Sequence, residues 1–138
     1  MRFLALDVGD ERVGVAISDE AGFLARPLET LRRAPGPAGF HRLAEIIAAQ
    51  GVGAVIVGLP LLPDGAEGRQ VESARAYARG LKAHVAVPII YWDERYSTQR
   101  AASALLEAGS GRLRRRRRID AAAAAVILQD YLDERSGG

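Results

Sequence analysis

The first third of the chain has the hydrophobic pattern of three short strands. Residues 2–8 form an apolar run that ends at Asp7-Val8-Gly9, and residues 12–18 alternate larger apolar side chains with small ones. Residues 23–31 predict a third strand, which Pro27 favours at an edge of the sheet. The turns between these strands are short, so the three are expected to pair antiparallel.

The rest of the chain alternates between helical and strand patterns. Apolar residues recur at helical spacing from Phe40 to Gln50, and Gly51 is a candidate C-cap. The elements predicted after it are a buried strand at 55–57, a helix at 71–81, a strand at 87–92, a helix from Ser97 to about 108, an arginine-rich loop and a last helix at 119–132. Strands that follow helices should pair parallel, which predicts an α/β fold with a mixed five-stranded sheet.

Length and composition fit one globular domain spanning residues 1–138. The apolar fraction is 49% and the charged fraction 26%, both ordinary for a globular protein. Cysteine is absent, which excludes disulfides and Cys-ligated zinc. His41 and His84 lie far apart in the sequence and lack metal-ligand spacing, so a zinc site and a Ser-His-Asp triad are both poor interpretations.

Nothing in the sequence predicts a membrane protein. The apolar run before Asp7 is too short for a signal-peptide core. The uncharged stretch at 46–63 approaches the length of a membrane span, but its Gln50, glycines and prolines favour a helix end, a turn and a buried strand. We therefore expect a cytoplasmic protein.

Carboxylates stand where active groups gather in α/β sheets. Asp7 ends the first strand, Asp93 and Glu94 end the fifth, and Asp120 opens the last helix. Clustered carboxylates need a cation between them, and an all-oxygen ligand set favours Mg²⁺ or Mn²⁺, a combination suited to phosphodiester hydrolysis. The alternatives are a turn former at Asp7, a helix cap at Asp120 and a surface ion-pair cluster at 93–95.

Basic residues are concentrated just before Asp120. Net charge is only +2, yet the predicted pI is 9.4 and nearly every basic residue is arginine. The run 114–118, with Arg112 beside it, is expected to be exposed and mobile without a ligand, and to grip phosphates when one is present. A solvated basic loop without a partner is the alternative. The loop at 58–69, between a strand and a helix, is a second candidate ligand-binding segment.

Four sequence blocks together resemble the YqgF proteins, also called RuvX. They are Asp7-Val8-Gly9 with 12–16, Val57-Gly58-Leu59-Pro60 with 64–65 and 67–68, Asp93-Glu94-Arg95 with 97–98, and Ile119-Asp120 with 123–124 and 127–129. The resemblance implies a ribonuclease H-like fold with strand order 3-2-1-4-5. It also implies a role in 5′-end processing of pre-16S ribosomal RNA, or in cutting Holliday junctions.

The resemblance also implies which residues act. Asp7, Glu94 and Asp120 match the acidic positions and would be both metal ligands and catalytic residues. The expected nucleic-acid contacts are Arg12, Arg95, Arg112, Arg114, Arg115, Arg116, Arg117 and Arg118. The related RuvC resolvases carry an acidic residue at the end of the fourth strand, where this chain has Gly58, so junction cutting of the RuvC kind is less expected.

Three functions therefore remain open from the sequence. The leading one is a metal-dependent ribonuclease acting on the pre-16S ribosomal RNA. A Holliday junction resolvase would act on branched DNA and would need two symmetric active sites, hence a stable dimer, whereas the sequence leaves monomer or dimer open. A non-catalytic RNA-binding assembly factor would keep the basic segment and tolerate the loss of Asp7.

Overall fold

The computed structural model describes the backbone of residues 1–94 and 112–137, and the side chains of residues 1–94 and 120–136. In chain order the elements are β1 (Arg2–Val8), β2 (Arg12–Ser18), β3 (Ala25–Arg32), α1 (Ala38–Gln50), β4 (Val52–Leu59), α2 (Arg69–Lys82), β5 (Ile89–Asp93) and α3 (Arg112–Gly137). The bounds of β1 and β2 are those that the hydrophobic pattern predicts.

The five strands form one mixed sheet in the order β3-β2-β1-β4-β5. β1 pairs antiparallel with β2, and β2 pairs antiparallel with β3. β4 pairs parallel with both β1 and β5. The predicted order and directions are confirmed, and β3, which contains Pro27, lies at an edge as expected.

Each face of the sheet is covered by its own helices, and strand alternation decides which residues each face receives. On one side, called here the α1/α2 face, Leu4, Leu6 and Val57 pack with buried residues of α1 and α2. On the other, called the α3 face, Phe3 and Ala5 pack with buried residues of α3. Because side chains alternate along a strand, the residue two beyond Ala5, Asp7, belongs to the α3 face.

The uncharged stretch at 46–63 contains the end of α1, a turn and β4. Gly51 ends α1 with φ of 65°, and its N–H bonds the carbonyl of Ile47, so the predicted glycine C-cap is confirmed. Within residues 1–94 and 112–137, no helix is both long and apolar enough to cross a membrane. The cytoplasmic location stays a prediction, as does the single domain spanning residues 1–138.

The last helix differs from the prediction at its start. α3 begins at Arg112, so the arginine run predicted as an exposed, mobile loop has a helical backbone. Arginine is a good helix former. The polar start of this helix lacks the apolar spacing from which a helix is predicted in a sequence. Asp120 therefore lies inside the helix rather than opening it, and the interpretation of Asp120 as a helix cap is wrong. The helix predicted at 97–108 lies outside the described residues.

Candidate active site

Asp7 lies at the carboxyl end of β1, next to a tight turn. In the β1–β2 ladder it stands opposite Gly14. The turn is closed by the Gly9 N–H, which donates to the Arg12 carbonyl at 2.8 Å, and a Cβ at Gly9 would lie 2.9 Å from that oxygen. The turn therefore needs glycine at position 9, and it leaves Asp7 half-buried at the edge of the sheet.

Gly14 brings α3 to Asp7. A Cβ placed on Gly14 would overlap the carbonyl oxygen of Asp120, so the helix backbone rests directly on β2 at this point. Since Gly14 is the ladder partner of Asp7, the two aspartates become neighbours although 113 positions separate them in the sequence numbering. Burial, and after it the negative charge of Asp120, raises the pKa of Asp7 to about 6.

Glu94 continues the alternation of β5 onto the same face. Its N–H donates to the Leu59 carbonyl at 3.2 Å, which extends the pairing with β4 by one residue. Glu94 is only 5% exposed, and a Cβ on Gly58 would overlap its Oε2 atom. The glycine at the end of β4 thus leaves the space that the Glu94 carboxylate fills.

Asp93 belongs to the opposite face. It is exposed, and its ladder partner is Leu59, whose side chain packs in the core under α1 and α2. The sequence left open whether Asp93 or Glu94 joins Asp7. The structure brings Glu94 to the α3 face and turns Asp93 away.

Arg12 is also drawn into the site. Its Nε donates to Asp120 Oδ2 at 2.8 Å, with about a quarter of each side chain exposed. This ion pair joins β2 to α3 across 108 positions of sequence. Arg12, predicted as a nucleic-acid contact, therefore holds a carboxylate of the site in this structure.

The other predicted nucleic-acid contacts are described less fully. Arg95 lies outside the described residues. Arg112 and the run Arg114, Arg115, Arg116, Arg117 and Arg118 have a described helical backbone only. The segment 58–69, predicted as a loop, contains the end of β4 and the first residue of α2. Within it, Glu67 forms an ion pair with Arg75 of α2 at 2.9 Å.

Metal binding at these carboxylates has support in the donor chemistry and in the local charge. Among the described side chains, no group of three Asp, Glu or His is close enough to hold a metal ion. Nevertheless, the charge of Asp120 adds to burial in raising the Asp7 pKa, and the missing side chain at Gly58 leaves room for the Glu94 carboxylate on the same face of the sheet. Such oxygen donors suit a hard divalent cation, which would offset their mutual repulsion.

Sequence reasoning missed the two glycines that assemble the site. Gly14 and Gly58 stand inside strands, where glycine has no side chain to pack and often marks a close approach. That signal was present in the sequence, but only the strand register and the path of α3 show what approaches each glycine.

Comparison with known proteins agrees with this architecture. The family model described as "RuvX: Holliday junction resolvase" matches residues 1–134. The chain belongs to the RuvX family. Its relatives include proteins named "putative pre-16S rRNA nuclease" from Ruegeria sp. (strain TM1040), 47% identical over 94% of this chain and 83% of the relative, and from Moorella thermoacetica, 46% identical over 96% and 95%.

Solved structures show the same fold at low sequence identity. RuvC of T. thermophilus, in complex with a Holliday junction substrate, superimposes with a TM-score of 0.59 at 19% identity, covering 99% of this chain and 97% of RuvC. The fowlpox virus resolvase in complex with junction DNA gives 0.57 at 10% identity, covering 97% and 98%. The RuvX family member described here therefore has the ribonuclease H-like fold that its motifs implied.

Proposed function

We propose that this protein is a divalent-metal-dependent nuclease that hydrolyses RNA phosphodiesters, acting in 5′-end processing of pre-16S ribosomal RNA in the cytoplasm. The observation that carries the proposal is the approach of Asp120 to Asp7 where α3 rests on Gly14. Burial and, after it, the charge of Asp120 raise the Asp7 pKa to about 6. A carboxylate held half-buried beside a second carboxylate is unfavourable unless a cation joins them. The names of the relatives supply the substrate class.

Asp7, Glu94 and Asp120 are the proposed ligands of Mg²⁺ or Mn²⁺. When bound, such an ion lowers the pKa of water and polarises a phosphate. Each carboxylate is held in place by its surroundings. Asp7 is held by the pairing of β1, and Glu94 lies in the space left by Gly58. Asp120 is held by its ion pair with Arg12. Their charges also make the site selective for cations.

The start of α3 is the proposed grip on the RNA backbone. The later part of the helix packs toward the far end of the sheet, where the rings of Tyr131 and Phe3 lie 5.6 Å apart and Gln129 accepts a bond from Ala25 N. The residues before Asp120 therefore extend in the other direction, past the sheet edge that carries Asp7. An arginine-rich helix leaving the site at that edge is suited to bind phosphates of the substrate.

The decisive experiment compares carboxylate variants on precursor RNA, with and without Mn²⁺. We expect metal-dependent cleavage by the wild type and none by Asp7→Asn or Glu94→Gln. Asp93→Asn is the matched control, since Asp93 is adjacent to Glu94 but exposed on the other face. Equal cleavage by wild type and Asp7→Asn would remove Asp7 from the reaction, and loss of activity in Asp93→Asn alone would reverse the assignment.

Resolution of four-way DNA junctions is the second candidate, favoured by the description of the family model. The same carboxylates would serve it, but cutting two of the four strands of a junction requires two active sites. A non-catalytic assembly factor is the third. Binding of precursor RNA without cleavage by any variant, at any Mn²⁺ concentration, would favour that function.

A further inference from the structure

A cleft of about 450 Å³ opens beside the acidic site, between the β1–β2 turn and the end of β3. Arg12, Arg32 and Arg33 line it together with Thr30. Arg12 belongs to both places, because its Nε bonds Asp120 while its side chain forms part of the cleft. Arg12 therefore links the cleft to Asp120, one of the carboxylates of the site.

Strand register places a second arginine next to Arg12. Arg32, the last residue of β3, is the ladder partner of Arg12, and Thr30 is the partner of Gly14. Partners in an antiparallel ladder project from the same face, so Arg32 shares the α3 face with Arg12 and with the carboxylates. Arg32 is exposed on the edge strand, with one side open to solvent.

The other charged groups of the cleft already have partners. Arg33 is fixed by bonds from Nη1 to Ser73 Oγ at 2.6 Å and to the Gly9 carbonyl at 3.1 Å. Asp10 lies 3.7 Å from Arg69, and Glu11 lies 3.6 Å from Arg12. Among the described residues Arg32 takes part in no salt bridge, so its guanidinium is the cation of the cleft that a ligand can engage.

We propose that this cleft binds a backbone phosphate of the RNA strand next to the phosphodiester that is cut, with Arg32 as the main contact. The inference rests on the proposed nuclease function and adds the path of the substrate. A guanidinium bonds phosphate oxygens through two parallel N–H groups, and the volume of the cleft is in the range of pockets that hold small ligands. Arg33 shapes the wall and Arg12 joins the cleft to the carboxylates.

The test measures RNA binding separately from cleavage. The Asp7→Asn protein is used as background, and fluorescence anisotropy follows a short single-stranded RNA from the precursor 5′ leader over a series of salt concentrations. Adding Arg32→Ala should weaken binding about 5-fold at low salt and reduce the salt slope by about 0.7, the value of one phosphate contact on a single strand. Arg32→Lys should recover part of the affinity.

Arg26→Ala is the matched control, since Arg26 is an exposed arginine of the same strand, paired with Ile17 far from the cleft. Equal losses from Arg32→Ala and Arg26→Ala, or no loss from either, would overturn the cleft assignment. In the nuclease assay with otherwise wild-type protein, Arg32→Ala should raise KM and leave kcat nearly unchanged. A fall in kcat at constant KM would also contradict a binding role.

The outcomes separate this inference from the proposed function. Cleavage by the wild type, combined with full RNA affinity in Arg32→Ala, would defeat the cleft and leave the nuclease standing. Absence of cleavage in the wild type, combined with a specific loss of affinity in Arg32→Ala, would support RNA binding in the cleft and defeat the nuclease function.

Discussion

Asp7 is the residue on which function and stability most clearly oppose each other. Its pKa in the folded protein is about 6, because burial and the Asp120 charge both disfavour the carboxylate. In the unfolded chain an aspartate titrates near its ordinary value of about 3.9. The folded state therefore holds the Asp7 proton more tightly, and stability is lost as pH rises from roughly 4 to 6.

Asp7→Asn should remove this penalty, since the amide resembles the protonated acid. We expect the variant to be more stable than the wild type at pH 7.5 by about 1–3 kcal/mol, the upper value corresponding to the full pKa shift. At pH 4 the two proteins should unfold at nearly the same urea concentration. Urea denaturation across this pH range gives the comparison, with Asp93→Asn as the exposed control.

A bound cation should change the sign of that difference. Mn²⁺ added at pH 7.5 should stabilise the wild type more than Asp7→Asn, because a ligand that binds only the folded state adds to its stability. Equal Mn²⁺ stabilisation of both proteins would place the ion away from Asp7. A wild type that is already the more stable protein at pH 7.5 without metal would contradict the raised pKa.

Gly14 is a second residue at which the site depends on a close contact, because an added Cβ would move α3. In Gly14→Ala the added Cβ would overlap the carbonyl oxygen of Asp120. Because that oxygen belongs to the backbone of α3, the helix itself must shift. We expect a loss of about 2–3 kcal/mol in the free energy of unfolding, as for overpacked cores, together with weaker Mn²⁺ binding. Gly68→Ala is the control, because a Cβ there would meet only the Leu62 side chain, at 3.7 Å.

Calorimetric Mn²⁺ titration and urea denaturation of both glycine variants measure these effects. The control should lose no more than about 1 kcal/mol, the typical size of a substitution effect at a helix N-cap. A Gly14→Ala protein with unchanged stability and metal affinity would mean that α3 does not depend on this contact for its position.

At the scale of the element, α3 joins a core helix to a basic extension. Residues 121–132 supply small and aliphatic side chains that pack on the sheet, whereas 112–118 are nearly all arginine. Arginines three or four positions apart on a helix lie on the same face and repel one another. A nucleic-acid phosphate chain would relieve that repulsion, so we expect this end of the helix to contribute most to the salt dependence of RNA binding.

Replacing the five arginines 114–118 with glutamine tests the extension. Glutamine is also a good helix former, so the helix should persist in circular dichroism while RNA affinity falls and its salt dependence flattens. Arg79→Gln with Lys82→Gln in the last turn of α2 is the matched control, since α2 covers the opposite face of the sheet. An unchanged salt slope in the α3 variant would remove the arginines from the RNA interface.

The elements also show how far the sequence determines the fold. β1 and β2 follow directly from apolar alternation, and Pro27 correctly predicts an edge strand. The start of α3 was missed because a run of arginines carries no hydrophobic periodicity, although each arginine favours helix. Periodicity predicts which segments pack on a core, and a helix that extends beyond the core leaves its first turns unmarked.

The sequence predicts the carboxylates of the candidate site but not the contacts that these carboxylates make. The resemblance favours Glu94 over Asp93, and the same choice follows from counting alternate positions from Ile90 and Trp92, which pack under α3. The Arg12–Asp120 ion pair joins segments at opposite ends of the chain, so no local sequence pattern predicts it. Only the register of β1 on β2, with α3 crossing above, shows that Gly14 and Asp120 meet.

At the scale of the whole molecule, the number of active sites per substrate separates the two nuclease functions. Cutting one RNA strand needs a single set of carboxylates, and the described part of one chain brings Asp7, Glu94 and Asp120 to one edge of one sheet face. Symmetric cutting of two of the four strands of a four-way junction needs two sets related by a two-fold axis. We therefore expect a single protein molecule to process the RNA without a second copy of the chain.

Mixing wild type with inactive Asp7→Asn protein, at constant total concentration and after time for subunit exchange, measures that number. For a nuclease that acts through one site, the initial rate on precursor RNA should fall in proportion to the wild-type fraction. A reaction that needs two intact sites should fall as the square of that fraction, because only pairs of wild-type chains complete it. A squared dependence on a four-way DNA junction, with negligible RNA cleavage, would overturn the proposed function in favour of the resolvase.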